Sequence, residues 1–167
     1  MIEVRVAQLG VDKTTNAPVV ILQEKDGERV LPIWIGPAEA SAIAMELAGV
    51  TFSRPLTHDL FKQVIVGLEA TLRRVLITQV KDNTYFAELL IQREDHVFQI
   101  DARPSDSIAI ALRLAAPIFT TDDLLTLTTV NTDDDDDGPG GPEALDPEQL
   151  KTYLEGLDPE DFGKFQP

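Results

Sequence analysis

The charge of the chain changes abruptly near residue 130, and this change limits which part of the sequence can form a core. Residues 131–167 carry 12 acidic and 2 basic side chains, whereas residues 1–130 carry 17 acidic and 12 basic ones. The second segment contains five consecutive aspartates, Asp133–Asp137, followed by glycines and prolines. Such segments repel themselves and stay solvated. The sequence therefore predicts one folded domain over residues 1–130, an acidic linker over 131–142 and a short tail over 143–167.

The composition is that of a soluble globular protein, with 43% hydrophobic and 26% charged residues. The chain has no cysteine, which excludes disulfides and thiolate metal sites and fits a reducing compartment. No run of 18 apolar residues occurs, and Met1 leads directly into an alternating pattern, so we expect neither a membrane span nor a signal peptide. We expect a cytoplasmic protein that makes no membrane contact. The net charge of −15 disfavours nucleic-acid binding, but two thirds of it lies in the tail.

Hydrophobic periodicity predicts strands interleaved with helices. Alternation predicts strands at 2–9, 18–25, 29–36, 72–81, 84–93, 97–102 and 118–120. Helical spacing predicts one helix from Gly36-Pro37 to Gly49, one over 58–70 with Thr57 as its N-cap, and one over about 104–115. Pro32 cannot donate to a ladder, so its strand is expected to lie at an edge or to bulge there. Because no regular βαβ alternation is present, the prediction is an α+β fold with a mixed, largely antiparallel sheet and about three helices.

The tail contains one further predicted element, a short amphipathic helix over about 147–156. A helix of this length is marginal alone, so we expect it either to fray or to dock on its own domain or on another protein. The aspartate run before it resembles a nucleic-acid backbone in its charge and could compete for a cationic site. The alternative is a solubilising tail.

Three polar clusters fall at or beside the predicted helix starts. "LPIWIGPAEA" places Glu39 in a first helical turn, and "RPLTHDL" places His58 and Asp59 in another. Both clusters have a structural interpretation, since acidic and hydroxyl side chains stabilise helix N-termini. The functional interpretation is that an imidazole, which titrates near neutral pH, serves there as acid, base or ligand.

The third cluster is "DARPSD", at the corner between a strand and a helix. Asp101 and Asp106 could share a hard cation through oxygen ligands, and Arg103 could bind a phosphate beside the helix N-terminus. The alternative is a structural Asp–Arg pair that fixes the corner. If the three helices lie side by side, the clusters converge into a set suited to metal-assisted attack on a phosphodiester.

"LPIWIGPAEA", "SRPLTHDL" and "DARPSDSIAIALR", in this order and spacing, resemble the bifunctional nuclease domain family of bacteria and plants. The likeness covers about residues 1–130, with Ser53 where the family often has proline and Ser107 where it often has alanine. The acidic tail looks like those of actinobacterial members. The resemblance implies an α+β domain that self-associates and a nuclease acting on DNA and RNA. The family's polar positions fall on Glu39, Arg54, Thr57, His58, Asp59, Asp101, Arg103, Ser105 and Asp106.

On this basis we interpret Asp101 and Asp106 as candidate Mg²⁺ or Mn²⁺ ligands, joined by Asp59 or Glu39. His58 is the candidate general acid or base, and Arg103 the group that binds the phosphate. The candidate substrate-binding residues are Arg54, Thr57 and Ser105. The alternative class is a non-catalytic regulatory module that binds a protein or an anionic small molecule, because the sequence shows no extended basic track for a nucleic-acid backbone.

Overall fold

The computed structural model describes residues 1–82 and 84–125 in full and, beyond them, the backbone of 142–144. The strands are β1 (Ile2–Asp12), β2 (Pro18–Glu24), β3 (Val30–Trp34), β4 (Thr71–Lys81), β5 (Thr84–Arg93), β6 (His96–Ala102), β7 (Ile118–Thr120) and β8 (Pro142–Ala144). The helices are α1 (Pro37–Leu47), α2 (Thr57–Gly67) and α3 (Pro104–Leu114), and a 3-10 turn covers Asp122–Leu124.

The strands form one mixed sheet in the order β3-β2-β1-β7-β4-β5-β6, with β8 paired to the far half of β1. Every pairing is antiparallel except that of β7 with β4. The three-residue β7 therefore joins an N-terminal unit, β1–β3, to the meander β4–β6. These findings confirm the predicted α+β class and the mixed, largely antiparallel sheet.

The three helices cover one face of this sheet. Side chains that alternate along the strands form a single buried cluster with them, and Ile43 of α1 and Ile108 of α3 are fully buried within it, as are Ile77 of β4 and Leu89 of β5. Burying an aliphatic side chain of this size contributes about 1.5–3 kcal/mol. Since α3 contacts both α1 and α2, the helices lie side by side with α3 in the middle.

The helix ends follow from local sequence signals. Gly49 adopts a φ of +65°, and Val50 N–H donates to Met45 O at 2.9 Å, which closes α1 in a Schellman motif as the glycine predicts. The predicted cap of α2 is wrong by one residue. The N-cap is Leu56, and Thr57 is the first residue of the helix. Leucine has no side-chain acceptor for the first-turn N–H groups, and Asp59 instead accepts the N–H of Leu56 at 3.0 Å, which is the other half of a capping box.

Other differences are small. The second helix ends at Gly67 rather than 70, and the first strand continues to Asp12. Residues 142–144 pair with Gly10–Asp12. The sequence prediction places the boundary between linker and tail within these three residues, and a segment this short has no periodicity that could predict a strand. The predicted edge position of Pro32 is confirmed, since β3 ends the strand order.

The predicted tail helix and the aspartate run lie outside the described residues. Among the described helices, none has the length and apolarity to cross a membrane.

Candidate functional site

The first turns of the three helices meet at one open cavity of about 920 Å³. Two side-chain bridges show how close these turns are: Arg103, the N-cap of α3, binds Glu39 in α1, and His58 in α2 contacts Asp106 in α3. Each helix start also presents N–H groups with a partial positive charge, which favours anions. The polar residues that line the cavity include Glu39, Ser41, Arg54, Thr57, His58, Arg103, Asp106 and Arg113.

His58 forms the centre of the cluster. Its Nε2 lies 3.0 Å from Oδ1 of Asp106, and its side chain is only 15% exposed. The partner is an ionised carboxylate and therefore an acceptor, so we assign the ring proton to Nε2. Nδ1 then carries the lone pair, and it has no hydrogen-bond partner in the part of the chain that the structure describes. His58 is thus held at one nitrogen and available at the other.

Asp106 is shared between His58 and Arg103. Its second oxygen, Oδ2, accepts from Nε of Arg103 at 2.7 Å, and Nη1 of Arg103 reaches Oε1 of Glu39 at 2.9 Å. Burial alone would raise the pKa of Asp106, but the hydrogen bonds from Arg103 and His58 and the positive charge of Arg103 outweigh burial and lower it. Asp106 therefore stays ionised at neutral pH. The cluster is a continuous chain, His58–Asp106–Arg103–Glu39.

Glu39 fits against its helix because residue 36 is a glycine. A Cβ at Gly36 would collide with Oε2 of Glu39, whereas the backbone angles at Gly36 (φ −77°, ψ 159°) suit any residue. A side chain at position 36 would displace the Glu39 carboxylate, so the glycine permits the position in which this carboxylate binds Arg103.

Arg113 is the charged residue of the cavity that the sequence did not predict. Its side chain is 3% exposed, and its Nε donates to Oδ1 of Asp59 at 2.6 Å. Burial acts to raise the pKa of Asp59, but the hydrogen bond from Arg113, the N–H of Leu56 and the neighbouring charges lower it overall. A signal was present in the sequence, because Arg113 interrupts the apolar stripe of α3 seven residues after Asp106 and so shares its helix face.

The other predicted residues are placed differently. Arg54 is exposed and lines the cavity, and it makes no ion pair with the described residues. Thr57 also lines the cavity, whereas Ser105 is buried within α3 and Asp59 faces Arg113.

Asp101 is not brought to the cavity. It lies exposed on β6 opposite Glu88, one residue before Ala102, which pairs with the core residue Ala87. Because side chains alternate along a strand, Asp101 belongs to the sheet face away from the helices. Within the described residues, no group of three or more histidine, aspartate or glutamate side chains is placed to hold one metal ion.

The two ionised carboxyls should make the stability of the fold fall in acid. The pKa values of Asp59 and Asp106 lie below the ordinary 3.8, so the unfolded chain binds more protons in acid. Their contribution is complete above about pH 4 and is lost as the pH falls through the folded-state pKa values. We expect the free energy of unfolding, measured with urea at descending pH, to fall less steeply below about pH 4 in Asp106→Asn than in the wild type. Parallel curves would contradict this.

Comparisons with known proteins agree with the geometry. The bifunctional nuclease domain matches residues 20–133. An uncharacterized protein of Mycobacterium tuberculosis is 39% identical over 162 residues, which cover 96% of this chain and 97% of that protein. Bifunctional nuclease 2 of Oryza sativa is 30% identical over 112 residues, and bifunctional nuclease 1 of Arabidopsis thaliana is 28% identical over 105.

The plant likeness is partial, since the matched segments cover 34% of the rice protein and 32% of the Arabidopsis protein. The family domain at residues 20–133 includes the three helix starts and their polar residues. The match to the family domain and the full-length likeness to the mycobacterial protein decide the assignment. This chain belongs to the bifunctional nuclease domain family.

Proposed function

We propose that this protein is a nuclease that hydrolyses phosphodiester bonds of DNA and RNA in the cavity at the three helix N-termini. The observation that carries the proposal is the pair formed by His58 and Asp106, 3.0 Å apart, in a cavity that Arg54 and Arg103 also line. The names of the plant relatives support the substrate class. A cytoplasmic location fits such substrates.

In the proposed reaction, the scissile phosphate binds between Arg54 and Arg103, with the hydroxyl of Thr57 and the N–H groups of the α3 first turn, Ser105 included, as further donors. Nδ1 of His58 takes a proton from water as its oxygen bonds to phosphorus. The bond from phosphorus to the leaving oxygen breaks on the opposite side, a solvent water protonates that oxygen, and the imidazolium releases its proton to solvent. Asp106 stabilises the imidazolium through Nε2–H.

A divalent cation shared by Asp101 and Asp106 fits this arrangement poorly. Both oxygens of Asp106 already face His58 and Arg103, and Asp101 lies on the other face of the sheet. No step of the proposed reaction is therefore routed through Mg²⁺ or Mn²⁺. A metal route through these residues requires Asp106 to release Arg103, or a second copy of the chain to supply Asp101.

A cleavage assay on labelled single-stranded DNA and RNA tests the proposal. The protein is assayed after chelation and again with Mg²⁺ or Mn²⁺, and Asp106→Asn is compared with Asp101→Asn as its matched control. We expect cleavage after chelation, with a strong loss in Asp106→Asn and little change in Asp101→Asn. Cleavage only with metal, lost in both variants, would favour the cation instead. Absence of cleavage in every condition would refute the nuclease.

The charge balance of the cavity favours one alternative, a regulatory module that binds an anionic ligand or a partner without cleaving it. Glu39 and Asp106 offset Arg103, and Asp59 offsets Arg113, so Arg54 is left as the uncompensated arginine of the lining. Dedicated nucleases usually offer a longer basic track. In the same assay, binding without cleavage would support this alternative.

We also propose that the chain self-associates through α2 and the edge strand β6. Large apolar side chains are exposed by 40% to 57% on α2, at its C-cap and on the helix-side face of β6: Leu60, Phe61, Val64, Val66, Leu68, Phe98 and Ile100. Half the surface of seven such side chains is on the order of the ~800 Å² that each partner of a standard interface buries. The edge strand β6 also presents an unpaired row of backbone groups to a second copy.

Phe98→Glu should therefore shift the protein towards the monomer, because it places a charge in the apolar contact. Sedimentation or light scattering over a concentration series measures this, with Glu88→Lys on the neighbouring strand as a control for charge change alone. A wild type that is monomeric at all concentrations would contradict the proposal.

A further inference from the structure

We propose that Arg113 is a positioning residue for His58, acting through Asp59 and the first turn of α2. This inference rests on the proposed nuclease function. Arg113 does not belong to the chain of contacts that joins His58, Asp106, Arg103 and Glu39, and it reaches the imidazole only through other groups.

The guanidinium of Arg113 joins the three helices at one buried point. Its Nε donates to Asp59 in α2 at 2.6 Å, its Nη2 to the carbonyl oxygen of Ala42 in α1 at 3.1 Å, and its Nη1 to the carbonyl oxygen of Ala109 in α3 at 2.9 Å. Three donors of one planar group thus have acceptors on three elements. A charge this buried is costly unless it is paired and hydrogen-bonded, and here a carboxylate pairs with it while three of its five N–H groups have acceptors.

Asp59 links Arg113 to the start of α2. One carboxylate oxygen accepts from Arg113, and the other accepts the backbone N–H of Leu56 at 3.0 Å. His58 lies between these two residues in the sequence. The backbone that carries the imidazole is therefore fixed on both sides by a carboxylate that Arg113 holds.

The spacing along α3 makes the two attachments cooperate. Asp106 and Arg113 are seven residues apart and share one helix face, about 10 Å from one another along the axis. Asp106 contacts His58, and Arg113 contacts the next residue, Asp59. The side chain of His58 and the backbone next to it are therefore both held by residues of α3.

The proposed reaction requires the imidazole of His58 to be held in an accurate position. Nδ1 must lie near the attacking water while Nε2 keeps its bond to Asp106, and a misplacement of about 1 Å can reduce a rate ~10²-fold. Lysine cannot replace the guanidinium, because an ammonium does not span acceptors in three directions with fixed geometry.

The test uses the fact that the chain has two histidines, His58 and His96. His96 begins β6 on the surface and is an internal reference. Long-range proton–nitrogen NMR of the full chain reports the tautomer and environment of each imidazole without substrate. Arg113→Lys is compared with Arg29→Lys, whose guanidinium pairs with Glu24 and Asp122 instead.

In Arg113→Lys we expect the His58 resonances to move and to lose the single Nε2–H tautomer, while those of His96 stay. We expect kcat for cleavage to fall about 10- to 100-fold with a smaller change in KM. Arg29→Lys should leave both imidazoles and kcat unchanged. A folded Arg113→Lys protein with unaltered His58 resonances would overturn the proposal.

If Arg113→Lys does not fold, Asp59→Asn takes its place, because it weakens the same link while leaving the bonds of Arg113 to Ala42 and Ala109. Unaltered His58 resonances in that variant overturn the proposal equally. If the wild type cleaves nothing, the nuclease proposal fails, and the NMR comparison still decides whether Arg113 positions His58.

Discussion

His58→Ala is expected to lower the rate of phosphodiester cleavage about 10²- to 10⁴-fold, the usual contribution of a general acid–base group. The physical reason is that Nδ1 of this imidazole is the available base of the cavity, held by the bond from Nε2 to Asp106. The measurement is kcat on labelled DNA and RNA, with circular dichroism to show that the fold is kept.

His96→Ala is the matched control for this variant. It removes the other imidazole of the chain, from an exposed position at the start of β6. We expect it to cleave like the wild type. If both variants, or neither, lose activity, His58 is not the acid–base group, and the charge-balanced cavity is better explained as a binding site.

Arg113→Met is expected to lower the free energy of unfolding by about 3 kcal/mol, the lower end of the range for removing one partner of a buried ion pair. The lower end applies because Asp59 keeps a third of its side chain exposed. The substitution leaves that carboxylate, the carbonyl oxygen of Ala42 and the carbonyl oxygen of Ala109 without their donor.

Urea unfolding of Arg113→Met, Asp59→Asn and the double variant measures the effect and the coupling between the two groups. Arg29→Met controls for the loss of an arginine that pairs with Glu24 and Asp122 outside the cavity, and we expect a smaller loss there because Arg29 is more exposed than Arg113. An equal loss of unfolding free energy in Arg29→Met and Arg113→Met would show that Arg113 stabilises the fold no more than the more exposed Arg29 does.

The sequence predicts the elements of this fold well because each one carries its own periodicity and end signals. The Gly49 cap, the edge position of Pro32 and the helix that begins at Pro104 all depend on neighbours within a few residues. The meander β4–β6 is predicted for the same reason, since tight turns fix its pairing.

What the sequence does not predict depends on contacts between distant residues. The bond from His58 to Asp106 spans 48 positions, and that from Arg113 to the Ala42 carbonyl spans 71. The sequence offers the convergence of the three helix starts only as a hypothesis. It depends on α1, α3 and α2 packing side by side, which the structure shows. The side of the sheet on which Asp101 lies could not be predicted for a different reason. Its strand β6 is exposed on both faces, so the sequence gives no alternation that shows which way the Asp101 side chain points.

The central place of β7 has a consequence for synthesis of the chain. Residues 118–120 join β1 to β4, and they are made after every other strand of the main path. Until they leave the ribosome, β1 and β4 remain two open edges, which are the surfaces on which strands of different chains pair wrongly. We expect the same event to bring α1, which carries Glu39, against α3, which carries Arg103 and Asp106. A nascent chain whose residues 118–120 have not emerged would then have the helices of the site but not the site.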